Sequence, residues 1–178
     1  MKKPSVTELL QLLDKPALLG WANSQGLKGI DISKERSKWL NAGTSIHCQI
    51  ERFIVDCIPF DDPKDQLKCE KFLDKYEVID IETNIETDYF IGRYDLKAKS
   101  KETGKTYIID FKRKCKKIYL EHKLQLVAYS MASECEGLMI VGVPDFKIFD
   151  IQIEDRTPYQ EIMKSLSVIY QNKQKIEL

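Results

Sequence analysis

The sequence predicts a single α/β domain in which a central mixed β-sheet of about five strands is flanked by helices. The chain has 178 residues, the length of one domain. Apolar residues recur at helical spacing in its first third, and β-branched and aromatic residues alternate with polar ones in its middle. A helix, two more strands and a last helix follow. Helices and strands interleaved in a chain of this length bury their apolar faces in one layered core.

The charge balance of the chain excludes an overall basic field. Lysine and arginine total 28, aspartate and glutamate total 28, and the formal net charge is zero. A nucleic-acid partner must therefore be met by a local basic patch. The sequence has no apolar run of membrane-span length and no signal peptide or transit-like start. We therefore expect no membrane partner and a cytoplasmic location, in a bacterial cell or a phage-infected host.

Three helices are predicted within residues 1–60. Ser5 as N-cap, with Glu8 three residues later, predicts a capping box at the start of the first, and Gly26 stops the helical pattern that follows. A second helix is predicted over residues 33–41 and a third over 44–57. The third helix carries an apolar stripe at helical spacing, namely Ile46, Ile50, Phe53, Ile54 and Cys57.

The pattern changes after a short helix predicted over residues 66–76. Three strands are predicted next, over 77–85, 89–100 and 105–114, with a turn at 101–104. The remaining elements are a helix over 119–134, a fully apolar central strand over 137–143, an edge strand over 146–154 and a last helix. That helix is predicted to begin with Thr157 as N-cap, Pro158 at the first helical position and Gln160 completing a capping box.

Asp110 and Lys112 lie two residues apart near the end of the third strand, so their side chains project from one face. The preceding strand carries another acid, Asp95. If the hairpin turns symmetrically, Asp95 and Asp110 lie opposite each other, with Cβ atoms about 4.5–5.5 Å apart. If a three-residue turn ends at Gly104, they lie on opposite faces unless a bulge restores them. On one face the carboxylates would repel unless a cation lay between them, and hard oxygen ligands suit Mg²⁺ or Mn²⁺.

These residues and others in order resemble the PD-(D/E)XK nucleases, RecB-like branch. The core motif consists of Asp95, then Ile109-Asp110-Phe111-Lys112, then Gln125-x-x-x-Tyr129, preceded by the helix motif Gly43-x-x-x-His47-x-x-x-Glu51. The segments PSVTELL with LLGWAN, GTSIHCQIE, IETNIETDYFIGRYDL, IIDFKRK, LQLVAYSMA and GLMIVGV are similar in kind and order to the mitochondrial genome maintenance exonucleases and their phage and bacterial relatives. The resemblance covers nearly the whole chain.

The resemblance implies a metal centre and a catalytic lysine. Asp95 and Asp110 would be metal ligands, and His47 would complete the metal site from its helix. Lys112 would orient or activate the attacking water and offset the phosphate charge. A metal suits this chemistry, because it neutralises the phosphodiester anion and lowers the pKa of bound water.

Four further residues match positions around that centre. Gln125 and Tyr129, four apart on one helix face, would position the catalytic lysine or contact the substrate strand. Glu82 matches an acidic position on the strand before Asp95, as a metal-site or supporting residue. Glu86 competes for the same position, and the sequence leaves that choice open.

The resemblance implies one nuclease domain over residues 1–178 with a restriction-endonuclease-like core. Residues 1–60 would carry the histidine motif and 76–178 the catalytic core. The implied function is Mg²⁺- or Mn²⁺-dependent exonuclease activity on DNA, with a preference for single strands or ends, in replication, recombination or repair. Two alternatives stay open, a structure-specific endonuclease and a non-catalytic nucleic-acid-binding module on the same fold.

The predicted DNA contacts follow the catalytic lysine. They are Arg113, Lys114, Lys116 and Lys117. Such a run is usually a solvated strand exit, but beside a metal site it would bind phosphates and make affinity salt-dependent. Strand alternation places Arg113 and Lys114 on opposite faces, and Arg113 stands where the family often has Thr or Ser. Tyr94 is a further candidate contact, because an exposed ring could stack on a base.

The cysteines predict neither a disulfide framework nor a zinc site. There are five, an odd number, and none forms a CxxC pair. Some relatives in the resembling family hold an iron–sulfur cluster with four cysteines, partly grouped near the C-terminus. The last cysteine here is Cys135, so we expect no cluster.

Overall fold

The computed structural model of the chain describes residues 3–14, 16–31 and 46–176. The helix predicted over 33–41 lies outside these ranges. In chain order the described elements are α1 (Val6–Leu10), α2 (Pro16–Gly26), α3 (46–56), α4 (Pro63–Leu73), β1 (Tyr76–Glu86), β2 (Ile91–Ser100), β3 (Thr106–Arg113), α5 (Leu120–Ser130), β4 (Gly137–Val143), β5 (Lys147–Asp150) and α6 (Thr157–Ile176). None of the helices in these ranges is long and apolar enough to cross a membrane.

The five strands form one sheet in the order β1-β2-β3-β4-β5. Neighbouring strands run antiparallel except β3 and β4, which are parallel and are connected through α5. A parallel pair needs such a crossover, and the helix covers one face of the sheet. The predicted α/β domain with a mixed five-stranded sheet between helices is therefore confirmed.

Helices cover both faces of the sheet. Ile108 and Ile109 are adjacent in β3, so their side chains enter opposite faces. Ile108 belongs to a buried cluster with residues of α1, α5 and α6, such as Leu124 and Met163. Ile109 belongs to a second cluster with residues of α3 and α4, such as Ile50. The two clusters hold β3 between them as a central strand.

The predicted capping box of α1 is confirmed. Ser5 Oγ accepts the backbone N–H of Glu8 at 3.2 Å, and the Glu8 carboxylate accepts the N–H of Ser5 at 2.6 Å. This reciprocal pair satisfies two of the N–H groups that a helix start leaves open. It also fixes Ser5 beside β2, where it forms an isolated bridge with Ile91.

Several predicted helix boundaries are wrong. The helix predicted over 66–76 spans Pro63–Leu73, and the one predicted over 119–134 spans Leu120–Ser130. Cys57 is exposed and has a φ of 55°, so it lies beyond α3 and does not belong to its buried stripe. Thr157 is the first helical residue of α6 and not its N-cap, because its N–H is already accepted by Asp155 Oδ1 at 2.8 Å. An aspartate two residues upstream offers a better acceptor to the open helix start than the threonine itself.

Of the two hairpin registers that the sequence left open between β2 and β3, the structure has the symmetric one. Leu96 pairs with Ile109, and the register continues unchanged to Lys99 and Thr106. The turn at 101–104 closes with Gly104 at a φ of 72°, a left-handed conformation that glycine adopts without a steric cost. Extending the register by one pair sets Asp95 opposite Asp110, at the point where the ladder stops.

The same row interrupts the pairing of β1 with β2. Ile81 pairs with Leu96 and Thr83 with Tyr94, but Glu82 between them is unpaired and has a φ of 45°. Leu96 packs in the α3–α4 cluster, whereas Tyr94 packs in the cluster on the other face. Residues two apart in a regular strand share a face, so β2 changes face at the level of Glu82 and Asp95, whereas Ile109 and Phe111 of β3 stay on one face.

Candidate active site

One concave pocket of about 490 Å³ is lined by all seven residues predicted for catalysis or metal binding. It opens between α1, α3 and α5, at the level of Glu82 in β1, Asp95 in β2 and Asp110 in β3. The seven residues are His47, Glu82, Asp95, Asp110, Lys112, Gln125 and Tyr129. Glu51 and Arg93 complete its charged lining.

His47 enters the pocket from α3 as a neutral imidazole. Its Nε2 lies 2.9 Å from the backbone oxygen of Phe111, and because a carbonyl only accepts, Nε2 carries the proton. Nδ1 is then left with a lone pair, 3.6 Å from Asp95 Oδ2. Burial lowers the pKa of His47 below its ordinary value, against the opposing effect of the Asp110 carboxylate. A neutral imidazole with a free nitrogen is a metal ligand.

Asp95 reaches across from β2 to the backbone of β3. Its Oδ2 accepts the N–H of Phe111 at 2.6 Å. Both backbone groups of Phe111 are thus taken by side chains, which explains why the β2–β3 ladder ends at this row. Burial raises the pKa of Asp95 well above its ordinary value, and the nearby Asp110 carboxylate adds to that rise. Burial and the neighbouring carboxylate therefore both disfavour the charged form of Asp95.

Glu82 turns into the pocket from the irregular point of β1. Its side chain is 12 % exposed, and its Oε2 lies 2.9 Å from Nε of Arg93. Burial raises the pKa of Glu82, although the Arg93 guanidinium opposes the rise. A non-glycine residue at positive φ is strained, and such strain is concentrated at functional sites. Glu86, the competing residue, is exposed and pairs with Lys3 outside the pocket.

His47, Glu82 and Asp95 form a candidate metal-binding group. One ligand atom from each lies within 4.8 Å of the other two. Two carboxylates and a neutral imidazole form a mixed oxygen and nitrogen set that suits Mg²⁺, Mn²⁺ or a related divalent ion. This group shares His47 and Asp95 with the predicted ligands and has Glu82 in place of Asp110, so the ligand set stays a prediction.

Asp110 and Lys112 form a buried ion pair. Asp110 is 1 % exposed, and Lys112 Nζ lies 2.7 Å from its Oδ2. The angle of approach does not meet that of a hydrogen bond, so Oδ2 accepts none from the described residues. Burial lowers the pKa of Lys112, but the carboxylates of Asp110 and Asp95 outweigh it and raise the net pKa. Lys112 is therefore charged at neutral pH.

Gln125 and Tyr129 fix the lysine from α5. Lys112 Nζ donates to Gln125 Oε1 at 3.0 Å, and Gln125 Nε2 donates to the Tyr129 hydroxyl at 2.7 Å. Gln125 and Tyr129 lie one helical turn apart, so both reach the same side of the pocket. Burial raises the pKa of Tyr129, which keeps its hydroxyl protonated. The predicted positioning role of these two residues agrees with this geometry.

A second cavity, of about 340 Å³, adjoins the pocket at Lys112 and is here named the basic cavity. Its lining consists of Lys112, Arg113, Lys114, Cys115, Lys116, Lys117, Tyr119 and His122. Arg113 and Lys114 both line this cavity, although alternation along a continued strand would direct their side chains to opposite faces. β3 ends at Arg113, and Lys114 has a φ of 51°, so strand alternation no longer applies.

Tyr94 cannot serve as the predicted stacking residue. It is 2 % exposed, its hydroxyl donates to Asp80 Oδ2 at 3.2 Å, and its ring packs near that of Tyr129. The residue lies in the buried cluster on the α5 side of the sheet. Its ring therefore offers no open face to a base.

Arg93 belongs to the pocket but was not among the predicted site residues. Its side chain is 61 % exposed, and its Nε contacts Glu82. Arg93 could have been predicted from the sequence, because it lies two residues before Asp95 and strand alternation would put both side chains on one side. The backbone of Phe111 was also missed, and residue type gives no signal for a role of the main chain.

Comparisons with known proteins leave the family open. No family model matches the sequence, and no curated protein matches it. Among solved structures, the chain is similar to the crystal structure of SSO0001, at 19 % sequence identity and a TM-score of 0.36. The match covers 58 % of this chain and 56 % of that chain.

Proposed function

We propose that this protein is a metal-dependent deoxyribonuclease of the PD-(D/E)XK superfamily, in the RecB-like branch. The observation that carries the proposal is the pocket in which the group of His47, Glu82 and Asp95 lies beside the charged Lys112. A carboxylate cluster alone, or a buried ion pair alone, can have a purely structural role. Together in one open pocket they form the parts needed to hydrolyse a phosphodiester.

The donor set fits a divalent cation. Asp95 and Glu82 have pKa values raised mainly by burial, which disfavours their charged forms, and a bound cation would favour those forms. Asp110 Oδ2 is buried and accepts no hydrogen bond from the described residues. His47, Glu82 and Asp95 would hold the ion, with Asp110 beside them. Such an ion, when bound, polarises the phosphoryl oxygen and lowers the pKa of a bound water.

The remaining residues of the pocket act on the substrate directly. The Lys112 ammonium, fixed by Gln125 and Asp110, offsets the charge of the phosphate and orients the attacking water. Tyr129 holds Gln125 in place. Arg93 lies at the exposed rim, where its guanidinium can bind a phosphate oxygen in addition to Glu82.

DNA is the proposed substrate, hydrolysed from its ends and preferably as a single strand. The support for a nucleic acid is local, because the chain has no net charge but presents four exposed basic residues next to the pocket. The proposed preference for ends and single strands rests on the family resemblance alone. We place the activity in replication, recombination or repair, in the cytoplasm of a bacterial cell or a phage-infected host.

The test compares linear and circular DNA, each single- and double-stranded, with labels at either end. The full chain is incubated with each substrate in Mg²⁺, Mn²⁺ or EDTA. We expect degradation of linear single strands with either metal, none in EDTA, and intact circles. Glu82→Gln should abolish turnover, whereas Glu77→Gln, an exposed position on the same strand, should retain it.

Two results would contradict the proposal. Cleavage of circular DNA would identify an endonuclease. Binding of DNA without cleavage of any substrate, by a chain that is folded in thermal unfolding, would identify a non-catalytic binding module. The position of the label in the first products gives the direction of digestion.

A further inference from the structure

The basic cavity combines cationic and aromatic groups in one place. Arg113, Lys114, Lys116 and Lys117 are all exposed, and none of them takes part in an ion pair among the described residues. No acidic side chain of the described chain lines the cavity. An uncompensated group of cations around a concavity favours an anionic ligand.

The backbone of this segment is held by contacts with β4 and within the segment. Lys114 donates its N–H to Val143 at 2.9 Å, which extends the contact between β3 and β4 by one residue. Cys115 packs over Gly142, where a side chain would approach the Cys115 Cβ to 3.3 Å. The Cys115 thiol also contacts the backbone oxygen of Lys117 at 3.6 Å. These contacts position the backbone from which the basic side chains extend beside the cavity.

Tyr119 supplies an aromatic surface at the far side of the cavity. It is 44 % exposed, in contrast to the buried Tyr94. The Lys117 ammonium lies 5.1 Å from the centre of its ring, and the His122 ring meets it edge to face at 5.5 Å. Both contacts orient the Tyr119 ring while leaving nearly half of the residue open to solvent.

We propose that the basic cavity binds one unpaired nucleotide of a nucleic-acid strand, with its base stacked on Tyr119 and its phosphate held by Arg113, Lys114 and Lys116. Aromatic stacking beside a cationic track is how proteins bind single strands without sequence preference. The volume of about 340 Å³ is at the lower end of the range of small-ligand sites. A base within a duplex is already stacked on both faces, so the cavity selects unpaired strands.

The cavity adjoins the candidate active site. Lys112 lines both, with its ammonium beside Asp110 in the pocket. A nucleotide bound on Tyr119 is therefore the neighbour of the phosphate at the reaction centre. This inference rests on the proposed nuclease function for its place in the reaction, but strand binding in the cavity can be measured without turnover.

The test measures binding of a fluorescent single-stranded oligonucleotide and of a blunt duplex by anisotropy, in Ca²⁺, with the full chain. Tyr119→Leu should weaken single-strand binding about tenfold, the effect of losing one stacked base, and change duplex binding less than twofold. Tyr119→Phe should retain the wild-type affinity, because the ring is kept. The slope of log K against log salt should be unchanged in Tyr119→Leu, since no cation is lost.

Tyr89→Leu is the matched control. Tyr89 also has a lysine ammonium near its ring, that of Lys164 at 5.8 Å, but it lies away from both cavities. Its substitution should leave binding of both oligonucleotides unchanged. Wild-type binding by Tyr119→Leu, or an equal loss for duplex and single strand, would overturn the inference.

The two proposals fail separately. If the wild-type chain hydrolyses DNA but Tyr119→Leu binds normally, the nucleotide site is wrong and the nuclease stands. If no DNA is hydrolysed but Tyr119→Leu selectively loses single-strand binding, the nucleotide site stands on a non-catalytic protein.

Discussion

The carboxylate of Asp95 accepts the backbone N–H of Phe111 at 2.6 Å. In a continued β2–β3 ladder, a backbone carbonyl of β2 would accept this N–H instead. His47 occupies the other backbone group of Phe111 at 2.9 Å. One main-chain unit therefore connects α3, β2 and β3 around the pocket. The two strands can separate at this row without leaving those backbone groups unsatisfied.

Asp95→Asn should stabilise the cation-free protein while removing its activity. The folded-state pKa of Asp95 is raised above its unfolded value, so the folded protein binds that proton more tightly. The contribution of Asp95 to the free energy of unfolding falls as pH rises from the unfolded-state pKa towards the folded-state pKa. Above the folded-state pKa the buried carboxylate is charged and its full destabilising effect is present. Asparagine can still accept from Phe111 but carries no charge. Thermal unfolding in EDTA should show a higher Tm at pH 7.5, with a smaller gain at pH 5.

The control for this prediction is Asp88→Asn, at an exposed position after β1. It should change neither the Tm nor its pH dependence. In Mg²⁺, hydrolysis by Asp95→Asn should fall by at least about 100-fold, as when one charge-stabilising group is removed from an active site. A lower Tm for Asp95→Asn in EDTA at pH 7.5 would mean that its charge stabilises the fold.

Lys112 and Asp110 should be energetically coupled. Lys112→Met leaves the Asp110 carboxylate buried without its counter-charge and should lower the free energy of unfolding by about 3 kcal/mol. This is the lower end for a broken buried pair, because the Lys112 side chain is still 28 % exposed. Asp110→Asn added to Lys112→Met should recover more than half of that loss. Urea unfolding of the two single variants and the double variant measures the coupling as a double-mutant cycle.

Lys97→Met provides the matched lysine in the neighbouring strand. Lys97 donates to the neutral Ser133 hydroxyl at 3.0 Å. Its substitution should cost less than about 1 kcal/mol and should add independently to Asp110→Asn. Additive effects of Lys112→Met and Asp110→Asn would show that the 2.7 Å contact has no net energetic role.

Glu82→Gly should not destabilise the protein, although it places glycine in a strand. Glu82 has a φ of 45°, which costs a side-chain-bearing residue about 1–3 kcal/mol and costs glycine nothing comparable. Glu77→Gly, in the regular part of β1, should lower the Tm, because glycine there only adds backbone entropy to the unfolded chain. Thermal unfolding in EDTA compares the two variants directly.

The same pair of variants separates strain from metal binding. Mn²⁺ should raise the Tm of the wild-type chain and of Glu77→Gly, because an ion bound only by the folded state stabilises it. It should not raise the Tm of Glu82→Gly. An equal Mn²⁺ response in both variants would exclude Glu82 as a ligand.

Much of the fold was predictable because local signals and the global fold agree. The apolar β4 was recognisable as a central strand, and the symmetric turn set Leu96 opposite Ile109. Ser5 and Glu8 marked the start of α1. In each case residue type, spacing and tertiary packing all favour the same structure.

The site was predictable as a set of residues, but its geometry was not. β2 changes face between Tyr94 and Leu96, beside the left-handed Glu82 of β1, and nothing in the residue type of a glutamate marks that conformation. The prediction for Tyr94 was wrong for this reason. Likewise, Lys114 at a φ of 51° is directed by its contact with β4, which strand alternation cannot anticipate.

Removing Arg113 and Lys114 together should reduce the salt dependence of single-strand binding by two contacts. Both line the basic cavity, whereas alternation along a continued strand would have allowed only one of them to reach a given phosphate track. Each phosphate contact contributes a slope of roughly 0.7 to log K against log salt for a single strand, so we expect a decrease of about 1.4 in Arg113→Ala with Lys114→Ala. Binding measured in Ca²⁺ over a salt series checks this value.

The control with equal loss of charge is Lys71→Ala with Lys75→Ala, near the C-terminal end of α4 and away from the basic cavity. It should leave the slope unchanged. A decrease of about 0.7 in the Arg113 and Lys114 double variant would mean that one of the two points away from the strand, and no decrease would make the run a solvated strand exit.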